Sequence, residues 1–169
     1  LVVQGELVLA GERWRIGPGQ GRAWLDHEWS EALLHPQAVG WDWIGMNLHD
    51  GAALSVGRLR RAVGAALWAG GSWRPAGGAV QVFDEGSVAF TALRHWTSPR
   101  SGARYPVQWR VETPAGRFEV RALVDDQELD SSASTGAIYW EGLSDLHDAA
   151  GQSVGRGYLE MTGYARALR

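Results

Sequence analysis

The sequence predicts an all-β antiparallel fold with little helix, and three observations carry that reading. Its 169 residues include 23 glycines and ten tryptophans, a composition suited to short strands and tight turns rather than long helices. Apolar and polar residues alternate with period two in run after run, as in half-buried strands. The runs are short and punctuated by Ala10-Gly11, Asp50-Gly51, Pro75-Ala76-Gly77-Gly78 and Pro114-Ala115-Gly116, the spacing of an antiparallel barrel or sandwich. A barrel of roughly eight to ten strands is favoured, because closure removes sheet edges and a barrel of that size can hold one small ligand. The length fits one domain, residues 1–169.

The elements follow in order. Residues 3–9 and 12–16 read as a hairpin around Ala10-Gly11, and Gly17-Pro18-Gly19-Gln20-Gly21 reads as the loop that ends it. Residues 22–30 alternate as a strand, and 31–39 form a connection through Pro36 with room for a helical turn. Strand 41–49 turns at Asp50-Gly51, a two-residue hairpin signal, and returns over 52–60. That turn pairs 49 with 52, and hence Trp43 with Arg58 and Trp41 with Arg60. Such cross-strand neighbours stack as cation–π pairs worth about 0.5–1 kcal/mol when exposed. Strands 66–74, 79–83 and 87–95 follow, then a polar loop over 97–104. Strands 105–113 and 117–123 alternate most cleanly: Val107, Trp109, Val111, Phe118 and Val120 face a core, and Gln108, Arg110, Glu112, Arg117 and Glu119 face water. After a polar connection over 124–135, a last hairpin joins 137–146 to 153–164. With its centre in 148–151, Trp140 lies near Leu159 and Glu141 near Tyr158.

Composition narrows the function classes. A net charge of −3 without blocks of like charge argues against bulk attraction to nucleic acid or an anionic membrane. Without cysteine, disulfide and thiolate chemistry are excluded. No apolar run approaches the ~20 residues that span a bilayer. No signal peptide is visible, and a start at Leu1 rather than Met is what a missing leader or preceding domain would leave. Three motif matches fail on context. His27-Glu28 has Glu31, not histidine, four residues beyond His27, so the zinc-protease pattern is broken. Gly151-Gln152-Ser153-Val154-Gly155 spells a serine-hydrolase elbow but sits in a hairpin, not a strand-turn-helix. Gly17 to Gly21 lacks the lysine and helix of a phosphate loop. No histidine pair has metal-site spacing, and no metal or cofactor is expected.

Two runs hold four of the ten tryptophans, two of the five histidines and three acids. In 21–30, Trp24, Asp26 and Glu28 share one strand face; in 40–49, Asp42, Ile44, Met46 and Leu48 oppose Trp41 and Trp43. Acids among aromatics are costly to bury unless paired or used. Asp26 and Glu28 are therefore candidate catalytic carboxyls, against a structural role paired with Arg22, Arg58 or Arg60. Trp24, Trp41, Asp42, Trp43, Trp140, Glu141, Tyr158 and Glu160 are candidate pocket residues, while Glu141 and Glu160 also fit hydrogen-bonded pairs that fix the last hairpin.

Five runs, "GRAWLDHEWS", "GWDWIGMNLHDG", "RHWTSPRSGARYPVQW" with "DDQEL", "YWEGLSDL" and "GRGYLEMTGYA", resemble the AttH family, related to the carotenoid 1,2-hydratases. The resemblance implies a lipocalin-like fold, and members of that family usually have two such halves; the motifs here match the second. In the hydratase branch an aspartate matching Asp26 is the proposed proton donor, although Trp24 stands here where that branch has tyrosine. The expected function is binding of a hydrophobic small molecule, isoprenoid- or polyketide-like. Cofactor-free acid-assisted hydration, isomerisation or cyclisation at a C=C bond would use Asp26 as donor, with Glu28 or Asp42 tuning it. The alternatives are a carrier without chemistry and a half-domain that packs on a partner. A homodimer or a second lipocalin-like domain is the expected macromolecular partner, since strand 41–49 is apolar on both faces.

Overall fold

A computed structural model of the chain describes residues 1–29, 31, 32 and 34–168. It forms two compact units, Leu1–Glu31 and Ala32–Arg169, and no helix occurs among the described residues.

The smaller unit is a hairpin of β1 (Val2–Leu9) and β2 (Glu12–Arg22). Ala10 and Gly11 both take positive φ, 51° and 83°, the twist that a two-residue turn between antiparallel strands favours. The glycine-rich stretch does not end β2, as the sequence predicts. The pairs Gly5↔Ile16 and Val3↔Gly21 leave only Gln4 on β1 against Gly17 to Gln20 on β2. The extra residues are absorbed as a bulge, in which Gly17 N–H donates to Gln20 Oε1 at 2.7 Å. The strand predicted over 22–30 ends at Arg22, and residues 23–29 have no strand structure. Alternation was not enough, because a strand needs a partner. β1 pairs as far as Val2↔Arg22, and the last contact is the exchange between Leu1 and Ala23. Ser30 lies outside the described residues.

The larger unit is one antiparallel sheet of ten strands: β3 (Gly40–Leu48), β4 (Ala53–Arg60), β5 (Ala66–Arg74), β6 (Gln81–Phe83), β7 (Ala89–Thr97), β8 (Arg104–Thr113), β9 (Gly116–Ala122), β10 (Glu128–Ser131), β11 (Ala137–His147) and β12 (Ser153–Thr162). Their order is β6-β5-β4-β3-β12-β11-β9-β8-β7, with β10 also on β11. Alternate residues of the long strands enter a common core that includes Ile44, Met46, Leu54, Val56, Val107, Trp109, Val111, Val120, Leu146, Leu159 and Met161. The sheet curls, so that strands remote in its order meet across the interior. Trp73 of β5 stacks near Phe118 of β9 at 6.3 Å, and the Arg58 guanidinium of β4 lies 4.8 Å from the Trp109 ring of β8. The all-β antiparallel expectation holds; the β6 and β7 ends of the sheet are not hydrogen-bonded to each other among the described residues, so the ladder does not close.

Two registers differ from expectation. The β3–β4 hairpin closes on Leu48 and Ala52, with Leu48 N–H donating to Ala52 O at 2.9 Å and Gly51 N–H to Leu48 O at 3.1 Å. The loop therefore has three residues, His49, Asp50 and Gly51, with Gly51 at φ 95° and Asp50 Oδ1 accepting from Ala52 N at 2.8 Å. One residue of slip exchanges the faces: Asp42, not Trp43, opposes Arg58, and Gly40, not Trp41, opposes Arg60. In the last hairpin a bulge between Leu146 and His147 sets Trp140 against Met161 and Glu141 against Glu160. That shift is even, so the faces stay as predicted. The 31–39 connection makes a turn, with Ala38 N–H donating to His35 O at 2.8 Å.

Candidate functional site

The register of β3 and β4 places a carboxylate and two guanidiniums on the inner face. Asp42 is fully buried. Its Oδ2 accepts from Arg58 Nε at 2.7 Å, and Arg60 Nε lies 3.2 Å from the same oxygen. Its Oδ1 accepts from the Tyr164 hydroxyl at 2.7 Å. Burying a charge is costly unless it is paired and hydrogen-bonded, and here each carboxylate oxygen has a partner. Arg60 also donates through Nη2 to Thr162 O and lies 3.9 Å above the Tyr164 ring. Arg58 lies 5.4 Å from the Phe90 ring, and Phe90 meets Trp109 edge-on at 5.8 Å. Burial pushes the Tyr164 phenol up, and the Asp42 charge adds to that.

Above this pair opens a cleft of about 260 Å³, lined by Arg58, Arg60, Gly64, Phe90, Ala92, His95, Pro106, Trp109 and Tyr164, all of the larger unit. One wall is aromatic and aliphatic; the other is cationic. Burial, then the charge of Arg104, lowers the His95 imidazole. Small-molecule sites have this composition: apolar walls with a few placed polar groups.

The predicted site residues fall into three places. Trp24, Asp26 and Glu28 lie in the smaller unit, beyond β2. Asp26 and Glu28 are exposed, and Asp26 Oδ1 accepts from Trp24 Nε1 at 2.8 Å. Trp41, Trp43, Glu141, Tyr158 and Glu160 stand on the outer face of β3, β12 and β11. There Trp41 Nε1 donates to Glu160 Oε1 at 2.6 Å, and Tyr158 Oη donates to Glu141 Oε2 at 3.2 Å. Burial pushes the Tyr158 phenol up to about 12, with the Glu141 charge adding. Trp140 is fully buried in the core cluster, with Nε1 donating to Asp125 O at 2.8 Å. Of these residues only Asp42 is tied to the cleft, from beneath: it holds Arg58, Arg60 and Tyr164, which line it. Its partners Arg60 and Tyr164 come from positions the sequence did not place beside it, Tyr164 from 122 residues away.

A second polar cluster joins two of the conspicuous runs, 94–109 and 125–129. Arg94 pairs with both oxygens of Asp125 at 2.6 and 2.8 Å, and Arg100 with Asp126 at 2.7 Å. The Glu128 side chain is 2% exposed and accepts from Ser98 Oγ at 2.7 Å and Ser101 Oγ at 2.5 Å. Burial alone would raise the Glu128 carboxyl, but hydrogen bonds from Ser101 and Ser98, with Tyr105 and Arg100 nearby, hold it below its ordinary value. This clasp ties the 98–103 loop to the 124–128 connection.

With that geometry in hand, comparison with known proteins places the chain. The AttH-like family model matches residues 1–164. The chain belongs to the AttH-like family. A crystal structure of an AttH-type protein from Nitrosomonas europaea superposes with a TM-score of 0.88 at 45% identity, covering 98% of this chain and 50% of that one. Kievitone hydratase from Nectria haematococca superposes with a TM-score of 0.74 at 20% identity, over 96% of this chain and 50% of that one. The latter likeness shows the fold alone. This AttH-like chain thus spans about half the length of the solved structures it matches. No curated protein matches it. Among the described residues no helix is long and apolar enough to cross a membrane, and no group of His, Asp or Glu is placed to hold a metal ion.

Proposed function

We propose that this AttH-like unit binds a small, largely apolar molecule in the cleft between β4 and β7–β8. The observation that carries this is the juxtaposition of an apolar wall, Phe90, Ala92, Pro106 and Trp109, with the Arg58–Arg60–Tyr164 floor fixed by Asp42. The walls supply affinity by burying ligand surface, and the floor supplies orientation. Chemistry at a C=C bond needs a group that gives a proton to carbon. In the cleft the Tyr164 hydroxyl is held in its protonated form by burial and by Asp42, which makes it a poor donor. Asp26, the donor suggested by family resemblance, is exposed. A binding unit is therefore the leading reading, with acid-assisted hydration second and dependent on a donor outside the cleft. The test is titration with N-phenyl-1-naphthylamine, a neutral apolar fluorophore. Micromolar binding that Ala92→Phe abolishes supports the reading; no binding, or binding indifferent to Ala92→Phe, refutes it.

The outer face of β3, β12 and β11 has a separate role in this proposal, as the docking surface for a second lipocalin-like unit. Trp41 and Trp43 are half-buried there, and Leu143 and Tyr158 are exposed. The solved relatives carry about as much chain again. Analytical ultracentrifugation of the chain with a co-expressed second half should show a complex that Tyr158→Glu weakens; the absence of any complex would refute this role.

A further inference from the structure

The cleft is short of hydrogen-bond acceptors. Trp109 is 1% exposed and its Nε1–H has no hydrogen-bond partner. Arg60 is 6% exposed; its Nε is near enough to Asp42 to pair charges, at 3.2 Å, but its N–H is not directed along that line and makes no hydrogen bond. Buried donors without acceptors are uncommon and costly. Both residues line the same cleft, and none of its lining residues is a carboxylate. The charges point the same way. Two guanidiniums face one buried carboxylate, so one positive charge is left over at the floor.

We infer that the molecule taken by this cleft is an apolar, ring-bearing monoanion whose carboxylate lies against the Arg58 and Arg60 side chains and balances the positive charge left over there. This rests on the binding proposal above and names its ligand class. Phe90 and Trp109 pack edge-on against each other at 5.8 Å and form one apolar wall, against which a planar body can lie. The oxygen end lies toward Arg58 and Arg60. A bidentate or forked contact from a guanidinium to a carboxylate is stronger than a neutral hydrogen bond. The inference therefore predicts discrimination between two ligands of one shape that differ only in charge.

The experiment compares 2-naphthoate with 2-naphthamide on the unaltered protein by isothermal titration calorimetry at two salt concentrations, and repeats it on Ala92→Phe. Ala92 lines the cleft but makes no polar contact with the floor. The expected result is that naphthoate binds about tenfold tighter or more, the equivalent of one charge-assisted hydrogen bond. The preference should shrink as salt rises, and Ala92→Phe should remove binding of both. Equal affinities, both lost in Ala92→Phe, would overturn the anion inference and leave the binding reading standing. A naphthoate preference unchanged by Ala92→Phe would place the anion elsewhere and overturn it too. Failure of both ligands to bind would overturn the inference together with the binding reading.

Discussion

Replacing Asp42 by asparagine is the sharpest perturbation of this structure. The asparagine keeps the volume and can still accept from the Tyr164 hydroxyl, so what changes is charge. Arg58 and Arg60 have side chains 13% and 7% exposed, and would be left facing each other across a neutral amide. Removing one partner of a buried ion pair costs about 3–5 kcal/mol, because the surviving charge is desolvated and unpaired. For a domain of this size each kcal/mol moves the melting midpoint by roughly 2–4 °C, so Asp42→Asn should lower it by about 10 °C. Tyr164→Phe removes only one hydrogen bond to a charged group, about 1.5–3 kcal/mol, and leaves the Asp42 charge in place between the two guanidiniums. Urea denaturation followed by tryptophan fluorescence, run on both variants, gives the order directly. If Asp42→Asn costs less than Tyr164→Phe, or less than about 1 kcal/mol, the carboxylate is not holding the arginines and the account of the floor is wrong.

Three further outcomes are expected. Glu128 has a depressed carboxyl in the folded state, so its contribution is present above the unfolded value near ~4.3 and lost as pH falls through the folded one. Glu128→Gln should cost about 1–3 kcal/mol at neutral pH, with the difference from the parent shrinking in stability–pH profiles as pH falls below the unfolded value; a difference that stays constant into acid would contradict the clasp. Gly157→Ala would set a Cβ 2.0 Å from Gly45 O, against backbone that cannot swing aside, and should cost about 1–3 kcal/mol or more in chemical denaturation; a neutral result would mean that β3 and β12 are less closely paired than described. Asp26→Asn, at an exposed carboxyl, should change stability by no more than about 0.5 kcal/mol and leave ligand affinity in the cleft unaltered by calorimetry; a lost ligand would return Asp26 to the binding site.

What could be read from the residues alone depended on how local the deciding contact was. The β8–β9 hairpin was legible because its alternation and its Pro114-Ala115-Gly116 turn agree, and Trp109, Val111 and Val120 are buried as expected. Asp42 stood out as an acid on the apolar face of its strand. Its partners did not, because a three-residue loop rather than a two-residue one decides whether Arg58 faces Asp42 or Trp43, and both loops fit His49-Asp50-Gly51. Tyr164 was invisible for another reason: nothing near it in the chain announces a contact 122 residues away. The run around Asp26 misled because periodicity reports the faces a strand would have, not whether a neighbouring strand exists to pair with it. Trp109 read simply as core, which it is, but its unpartnered indole nitrogen is a property of three-dimensional packing.

The open ends of the ten-stranded sheet bear on how copies of this protein can aggregate. An unpaired strand edge is a template for another chain. At one end β6 offers only Gln81–Phe83, too short to nucleate a long ladder. At the other, β7 is broken by two irregularities between Ala92 and His95, and there it presents the exposed charge of Arg94. One edge is blunted by length and the other by bulges and charge, so neither favours edge-to-edge polymerisation. Association through the ten-stranded sheet is thereby turned toward its faces, where side chains rather than backbone amides choose the partner.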